Sequence, residues 1–132
     1  MKTLFAIGAA LAMAASTTAM AASGSYTGNW PLTITKSLFM NGTYCLTVTD
    51  DGSEGWKHSG EATIPEYPYG IFQVINGRFV AGIVEPAGGQ NDVLVLTSNG
   101  RNGAFDDGAA VLEAGGEPLD SGVMKVGTRD SC

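Results

Sequence analysis

The sequence predicts a small all-β domain built as an antiparallel meander. Asn-Gly and Asp-Gly dipeptides, which suit the tight turns of β-hairpins, recur through a chain of 132 residues that contains 19 glycines. Short apolar runs lie between these dipeptides, and no long stretch shows apolar residues at helical spacing. With 44% hydrophobic and only 15% charged residues, the chain has the composition of a folded protein rather than a disordered one.

The N-terminal residues 1–21 are predicted to be a signal peptide that is removed. Lys2 precedes an Ala-rich apolar run at residues 4–15, and Ala19-Met20-Ala21 places small residues where a signal peptidase requires them. The apolar run is shorter than the roughly 20 residues needed to span a bilayer, although an uncleaved anchor helix is the alternative. We therefore expect one exported β domain, residues 22–132, with no membrane span, in the periplasm or outside a bacterial cell.

The two cysteines, Cys45 and Cys132, agree with export. In an oxidising compartment they are predicted to form a disulfide, and two free thiols are the alternative. A metal site needs more soft ligands than the chain has, so we expect neither a metal nor a cofactor. The net charge of −6 and the lack of a basic stretch argue against nucleic acid as a partner.

The first hairpin contains a conflict between its turn and its apolar pattern. Trp30, Leu32 and Ile34 form the apolar face of the first strand. A two-residue turn at Asn41-Gly42 would pair Phe39 with Tyr44. The apolar residues of the second strand would then lie on the face opposite to Trp30, Leu32 and Ile34. The sequence therefore predicts a β-bulge or a break within residues 36–38.

The clearest hairpin covers residues 70–85. A turn at Asn76-Gly77 pairs Val74 with Phe79 and Phe72 with Ala81, and paired residues point to the same face of a sheet. These four residues and Ile83 are therefore predicted to face the core.

The remaining strands bring the total to about eight. Residues 59–64 are one strand, and residues 93–97 are apolar on both faces and so should be central and covered. Residues 109–114, the best local helix candidate, are interpreted as a strand that pairs Phe105 with Ala110 around Asp107-Gly108. A last strand at residues 122–127 points Met124 and Val126 inward. Eight strands can close into an up-and-down barrel or form a two-sheet sandwich.

A pattern at the two ends of the domain resembles a known family. The first strand opens with Gly28-Asn29-Trp30, and Arg129 follows the last strand. This is similar to the calycin pattern of small β-barrels such as lipocalins and avidins, and it implies a structural cation–π contact of Arg129 with Trp30. The biotin-binding residues of avidins cannot be placed in this chain. Alternatively, Trp30 plugs the open end of an unrelated β fold.

The residues that could carry catalysis have simpler explanations. His58 is the only histidine and is expected to be a solvated surface residue. The acidic pairs at residues 50–51 and 106–107 each precede a glycine, which is typical of a turn. We predict no catalytic residue, and a carboxylate hydrolase is the least favoured of the functions considered.

Aromatic residues in polar segments are the best candidates for binding. Trp56, Tyr67 and Tyr69 are predicted to contact a ligand or partner, and the alternative is that each ring covers the core as a lid. The function predicted is non-catalytic binding, either of a small apolar molecule inside the barrel or of a protein. An envelope component that assembles by pairing its β edges is the alternative.

Overall fold

The computed structural model describes residues 24–52, 57–84 and 92–132, and within these ranges it contains strands and no helix. The strands are β1 (Gly28–Thr35), β2 (Gly42–Asp50), β3 (His58–Thr63), β4 (Tyr69–Ile75), β5 (Arg78–Val84), β6 (Asp92–Arg101), β7 (Ala104–Phe105), β8 (Gly108–Ala114) and β9 (Glu117–Val126).

Eight of these strands close into an antiparallel barrel. Strands β1 to β6 each pair with the next, β6 pairs with β8, β8 with β9, and β9 returns to β1. The two-residue strand β7 only extends one end of β6. The predicted all-β meander is thus confirmed, in the form of the barrel rather than the sandwich.

The barrel has two ends, which we name after a buried residue at each. The Trp30 end holds the start of β1 and the junctions β2–β3, β4–β5 and β6–β8. The Met40 end holds the junctions β1–β2, β3–β4, β5–β6 and β8–β9. Consecutive antiparallel strands alternate in direction, so every second junction lies at the same end.

The hairpin predicted at residues 70–85 is confirmed in register and in facing. Val74 pairs with Phe79 and Phe72 with Ala81, and both pairs are buried. Asn76 and the glycine after it have φ angles of 53° and 78°, as the predicted turn requires.

The predicted break after the first strand is also present. β1 ends at Thr35, and Lys36 has a φ of 60°. The turn expected at Asn41-Gly42 is wrong, because Gly42 pairs with Ile34 and the connection is a loop of residues 36–41. The hairpin expected at Asp107-Gly108 is wrong as well. Instead, β8 pairs with β6, its neighbour in the barrel wall, so Ala110 lies opposite Leu96 and not opposite Phe105.

Large side chains fill the barrel interior, with the aromatic ones towards the Trp30 end. Phe79 stacks on Phe105 with ring centroids 4.1 Å apart, and Phe105 contacts Trp30 at 4.6 Å. Phe72 lies on the other side of Phe79, at 5.7 Å. Towards the Met40 end the interior holds the buried aliphatic residues Leu32, Ile34, Ile83 and Leu94, and the partly buried Tyr44 and Tyr67 pack against the core.

The C-terminal residues fold back over the Trp30 end. The Arg129 guanidinium lies over the Trp30 ring, 4.6 Å from its centroid, and donates hydrogen bonds to the carbonyls of Thr27 and Gly103. Cys132 forms a disulfide with Cys45 of β2, with the Cα atoms 5.8 Å apart. The predicted disulfide and the Arg129–Trp30 contact are therefore both present. Kinship with calycins stays a prediction, because barrels of any ancestry can use such a contact.

Within the described ranges, β6, the strand that was expected to be central and covered, is fully buried on its inner side only. Leu94 and Leu96 of β6 point into the barrel, whereas Val93 and Val95 point outward and are half-buried. A closed barrel has no central strand, so apolar residues on the outer side of β6 remain part of the surface.

Candidate functional site

The three aromatic residues predicted to bind a partner do not form one cluster in the part of the chain that is described. Trp56 lies outside the described residues. Tyr67 is half-buried against the core at the Met40 end, where its backbone exchanges two hydrogen bonds with Ile64. Tyr69 starts β4 and is 63% exposed on the outer wall of the barrel. Tyr67 thus has the position of a lid, and Tyr69 that of a surface residue.

Tyr69 belongs to a broader apolar surface that we call the apolar face. Its exposed members include Ile71 at 65% and Val84 at 41%. The register of the strands places it across β4, β5, β6 and β8. The apolar face comprises Tyr69, Ile71, Val80, Val84, Val93, Val95 and Val111.

His58 is buried, so its predicted solvated position is wrong. Only 7% of the residue is exposed, and its Nδ1 lies 2.8 Å from Oδ2 of Asp50. The Asp50 carboxylate is fully buried and also accepts the backbone N–H groups of Tyr26 and Gly52. Ala62 and Ile64 are both apolar and buried, so every second residue counted from them lies on the inward side of β3. Extending this alternation back to residue 58 would have revealed the burial of His58.

A cleft of about 220 Å³ lies beside this buried pair at the Trp30 end. The Asp50 carboxylate can only accept a hydrogen bond, so Nδ1 of the His58 imidazole carries the hydrogen between them. The other ring nitrogen, Nε2, is the one available to a molecule in the cleft. Among the described residues, no hydroxyl or thiol is hydrogen-bonded to the ring, and no group of three or more His, Cys, Asp or Glu could hold a metal. The arrangement lies at the Trp30 end of the barrel, where the Tyr26 ring packs on His58 at 5.1 Å. The cleft is lined by Tyr26, His58, Val74, Gly77, Gly100, Arg101 and Asn102.

The β1–β2 loop at the Met40 end has a rigidly held backbone. Four successive backbone N–H groups, those of residues 37 to 40, are bonded to side-chain oxygens. Asp120 of β9 accepts two of them, from Leu38 at 3.0 Å and Phe39 at 2.8 Å. The Asn41 side chain closes the loop, because its Oδ1 accepts the Ser37 N–H and its Nδ2 donates to the Ser37 carbonyl.

Asp120 therefore holds the loop from within the barrel wall. Its carboxylate also accepts the Ser121 N–H at 2.8 Å. The pKa of this carboxyl is lowered from the ordinary value of 3.8, mainly because the Leu38 N–H bonds the charged form, with the N–H groups of Phe39 and Ser121 adding to the effect. The side chain is thus held as an acceptor that cannot be protonated without loosening the loop.

The same loop presents its large apolar side chains to solvent. Leu38 is 79% exposed and Phe39 is 69% exposed, whereas the next residue, Met40, is buried. Leu38 also lines a shallow groove with Leu119 of β9, which is itself exposed. Sequence reasoning missed this site, although the mismatch between the apolar residues 38–39 and the alternation of β1 was its signal.

Comparison of the chain with protein-family models, with curated proteins and with solved structures gives no match. Within residues 24–52, 57–84 and 92–132, no helix has the length and apolar character needed to cross a bilayer.

Proposed function

We propose that this protein is an exported, non-catalytic binding protein that contacts a partner protein through Leu38 and Phe39. The observation that carries the proposal is a loop whose backbone is fixed at four successive N–H groups while two large apolar side chains remain exposed. A loop that is already ordered loses little conformational entropy on binding, and aromatic residues contribute strongly to interfaces.

The structure favours a partner protein over the alternatives. The interior of the barrel is occupied by the protein's own aromatic and aliphatic side chains, which disfavours a small apolar ligand there. Each described strand of the closed barrel has a neighbour on both sides except β7, which is two residues long. Assembly through β edges therefore lacks a free edge to use. An inhibitor that inserts its loop into the cleft of an exported hydrolase belongs to the class that we propose.

The periplasmic or secreted location is part of the same proposal. It rests on the predicted signal peptide at residues 1–21 and on the Cys45–Cys132 disulfide, which is consistent with an oxidising compartment.

Photo-cross-linking tests the proposal. A photoreactive phenylalanine analogue replaces Phe39, and in a matched control it replaces Thr33, an exposed residue on the outer side of β1. In the source cells we expect a discrete adduct from position 39 and none from position 33. With the purified partner, Phe39→Ala should weaken binding at least tenfold, and Asp120→Asn should weaken it although Asp120 points inward. Wild-type affinity in both Phe39→Ala and Leu38→Ala would show that the loop is not the binding surface.

A further inference from the structure

We propose that the cleft at the Trp30 end binds a small organic monocarboxylate, held by the His58 imidazolium and the Arg101 guanidinium. The cleft lies at the opposite end of the barrel from the β1–β2 loop, so its ligand is independent of the proposed function. Its volume of about 220 Å³ exceeds the roughly 150 Å³ that holds a benzene ring in a protein cavity. A carboxylic acid of a few carbon atoms, or of one aromatic ring, has a suitable size.

The His58 ring is held in place on one side and open to a ligand on the other. The residue is only 7% exposed, and the buried Asp50 carboxylate accepts its Nδ1–H at 2.8 Å. Both oxygens of Asp50 also accept backbone N–H groups, those of Tyr26 and Gly52, so the acceptor is itself fixed. Nε2 has no hydrogen-bond partner among the described residues, although His58 lines the cleft. Polar atoms of buried side chains generally have a partner, which a molecule in the cleft can supply.

The charges around the cleft favour an anion. The described residues that line it include Arg101 and no Asp or Glu. Arg101 is exposed and has no ion-pair partner in the described ranges, and a guanidinium matches the two oxygens of a carboxylate. When Nε2 is protonated, the imidazolium neutralises Asp50, and Arg101 leaves the site with one positive charge in excess. One monocarboxylate balances that charge, whereas a neutral or cationic ligand leaves it uncompensated.

The rest of the lining suits the apolar part of such a ligand. Val74 is buried and pairs with His58 across β3 and β4, and the Tyr26 ring meets His58 edge-on. The Tyr26 hydroxyl accepts the Gly103 backbone N–H, which leaves its own hydrogen to donate. A Cβ at Gly100 would lie 3.2 Å from that hydroxyl, so the glycine keeps this part of the cleft open.

Binding of this kind couples the ligand to a proton. Nε2 donates to a carboxylate only when the imidazole is doubly protonated, so affinity should fall as the pH rises through the range where histidine loses its charge, roughly pH 5 to 8. The other titratable groups around the ring in the described ranges are Asp50 of β2, Tyr26 and Arg101, while β4 contributes Val74. Burial raises the pKa of Tyr26 from 10.0, so its hydroxyl stays protonated throughout that range.

Solution NMR of the purified protein tests the proposal, because His58 is the only histidine in the chain. In a sample without a polyhistidine tag, the ring nitrogen signals report the protonation of Nδ1 and Nε2 separately. Sodium benzoate at about pH 6 should shift them saturably, with a dissociation constant in the millimolar range, and should protonate Nε2. At about pH 8 benzoate should bind at least tenfold more weakly.

Two variants that each remove one positive charge show whether the cleft is the binding site. Arg101→Gln should weaken benzoate binding at least threefold. Lys125→Gln, the matched control on the exposed outer side of β9, should leave it unchanged.

Three results would overturn the proposal. The first is a set of ring signals that respond to benzoate no more than to sodium chloride. The second is an affinity that rises with pH, because Nε2 would then accept a hydrogen bond from its ligand. The third is an Arg101→Gln variant that binds benzoate no more weakly than Lys125→Gln, because the cleft would then not supply the second cation.

Discussion

Removal of the Cys45–Cys132 bond tests how far the C-terminal residues depend on their covalent link. The bond joins residues separated by 87 positions. For a loop of this length, the chain-entropy relation gives a loss of about 4.6 kcal/mol in the free energy of unfolding at 25 °C. The native state should change little, because Arg129 and Asp130 hold the tail through hydrogen bonds to Thr27, Gly103 and Asn29. The loss should therefore arise from a less restricted unfolded chain.

Urea unfolding of the wild type and of the Cys45→Ala/Cys132→Ala variant measures this effect. We expect a midpoint shifted to lower urea and a steeper dependence on urea, since the unfolded chain exposes more surface without the cross-link. Ser131→Ala is the matched control, because the Ser131 hydroxyl bonds only to Thr128 within the tail. A loss below about 1 kcal/mol would refute the entropic reasoning. Disorder of residues 128–131 in the NMR spectrum of the variant would refute the claim that the tail is held by its other contacts.

Three further predictions concern buried polar groups. The pKa of Asp120 is lowered from 3.8, so its stabilising effect is present above that pH and is lost as the pH falls through the folded value; the amide NMR signals of Leu38 and Phe39 should shift in that range and stay constant above it. Burial raises the pKa of Tyr26 from 10.0, so its contribution to stability should be lost as the pH rises above that value. Thermal unfolding should show a lower midpoint above pH 10 in the wild type and a smaller decrease in Tyr26→Phe. Asp50→Ala leaves buried donors, including His58, without their acceptor and should cost about 3 to 5 kcal/mol in urea unfolding. Asp50→Asn, which keeps an acceptor oxygen, should cost less, and equal losses in both variants would contradict this explanation.

The pairing of strands that adjoin the same turn was predictable from the sequence, and the closure of the barrel was not. The Asn76-Gly77 turn fixes its own register because the two strands adjoin it, so the facing of Phe72 and Phe79 followed directly. The partner of β8 depends instead on the barrel, which brings β6 beside it past the intervening β7. No local pattern contains that information, and Ala110 was consequently assigned to the wrong neighbour.

The candidate site shows the same division. The sequence predicted the break after the first strand, because the apolar residues were out of step there. It did not predict what fixes the loop, since Asp120 lies more than 80 positions away and reaches Leu38 only when β9 lies beside β1. The burial of His58 was within reach of the sequence, because it follows from the alternation along β3, but the ring of Tyr26 that packs on it, 5.1 Å away, lies 32 positions earlier in the chain.

The β1–β9 pairing also has a kinetic consequence. Most strands of the barrel can pair with a neighbour as soon as both have been synthesised, but Leu32 must wait for Val126. Bringing such distant positions together has a large entropic cost before any contact compensates it, so closure should be the slow step of folding. During that interval the chain remains an open ribbon with two free edges. Until β9 is complete, β1 therefore keeps an unpaired edge that is open to pairing with another chain, and closure of the barrel removes that edge.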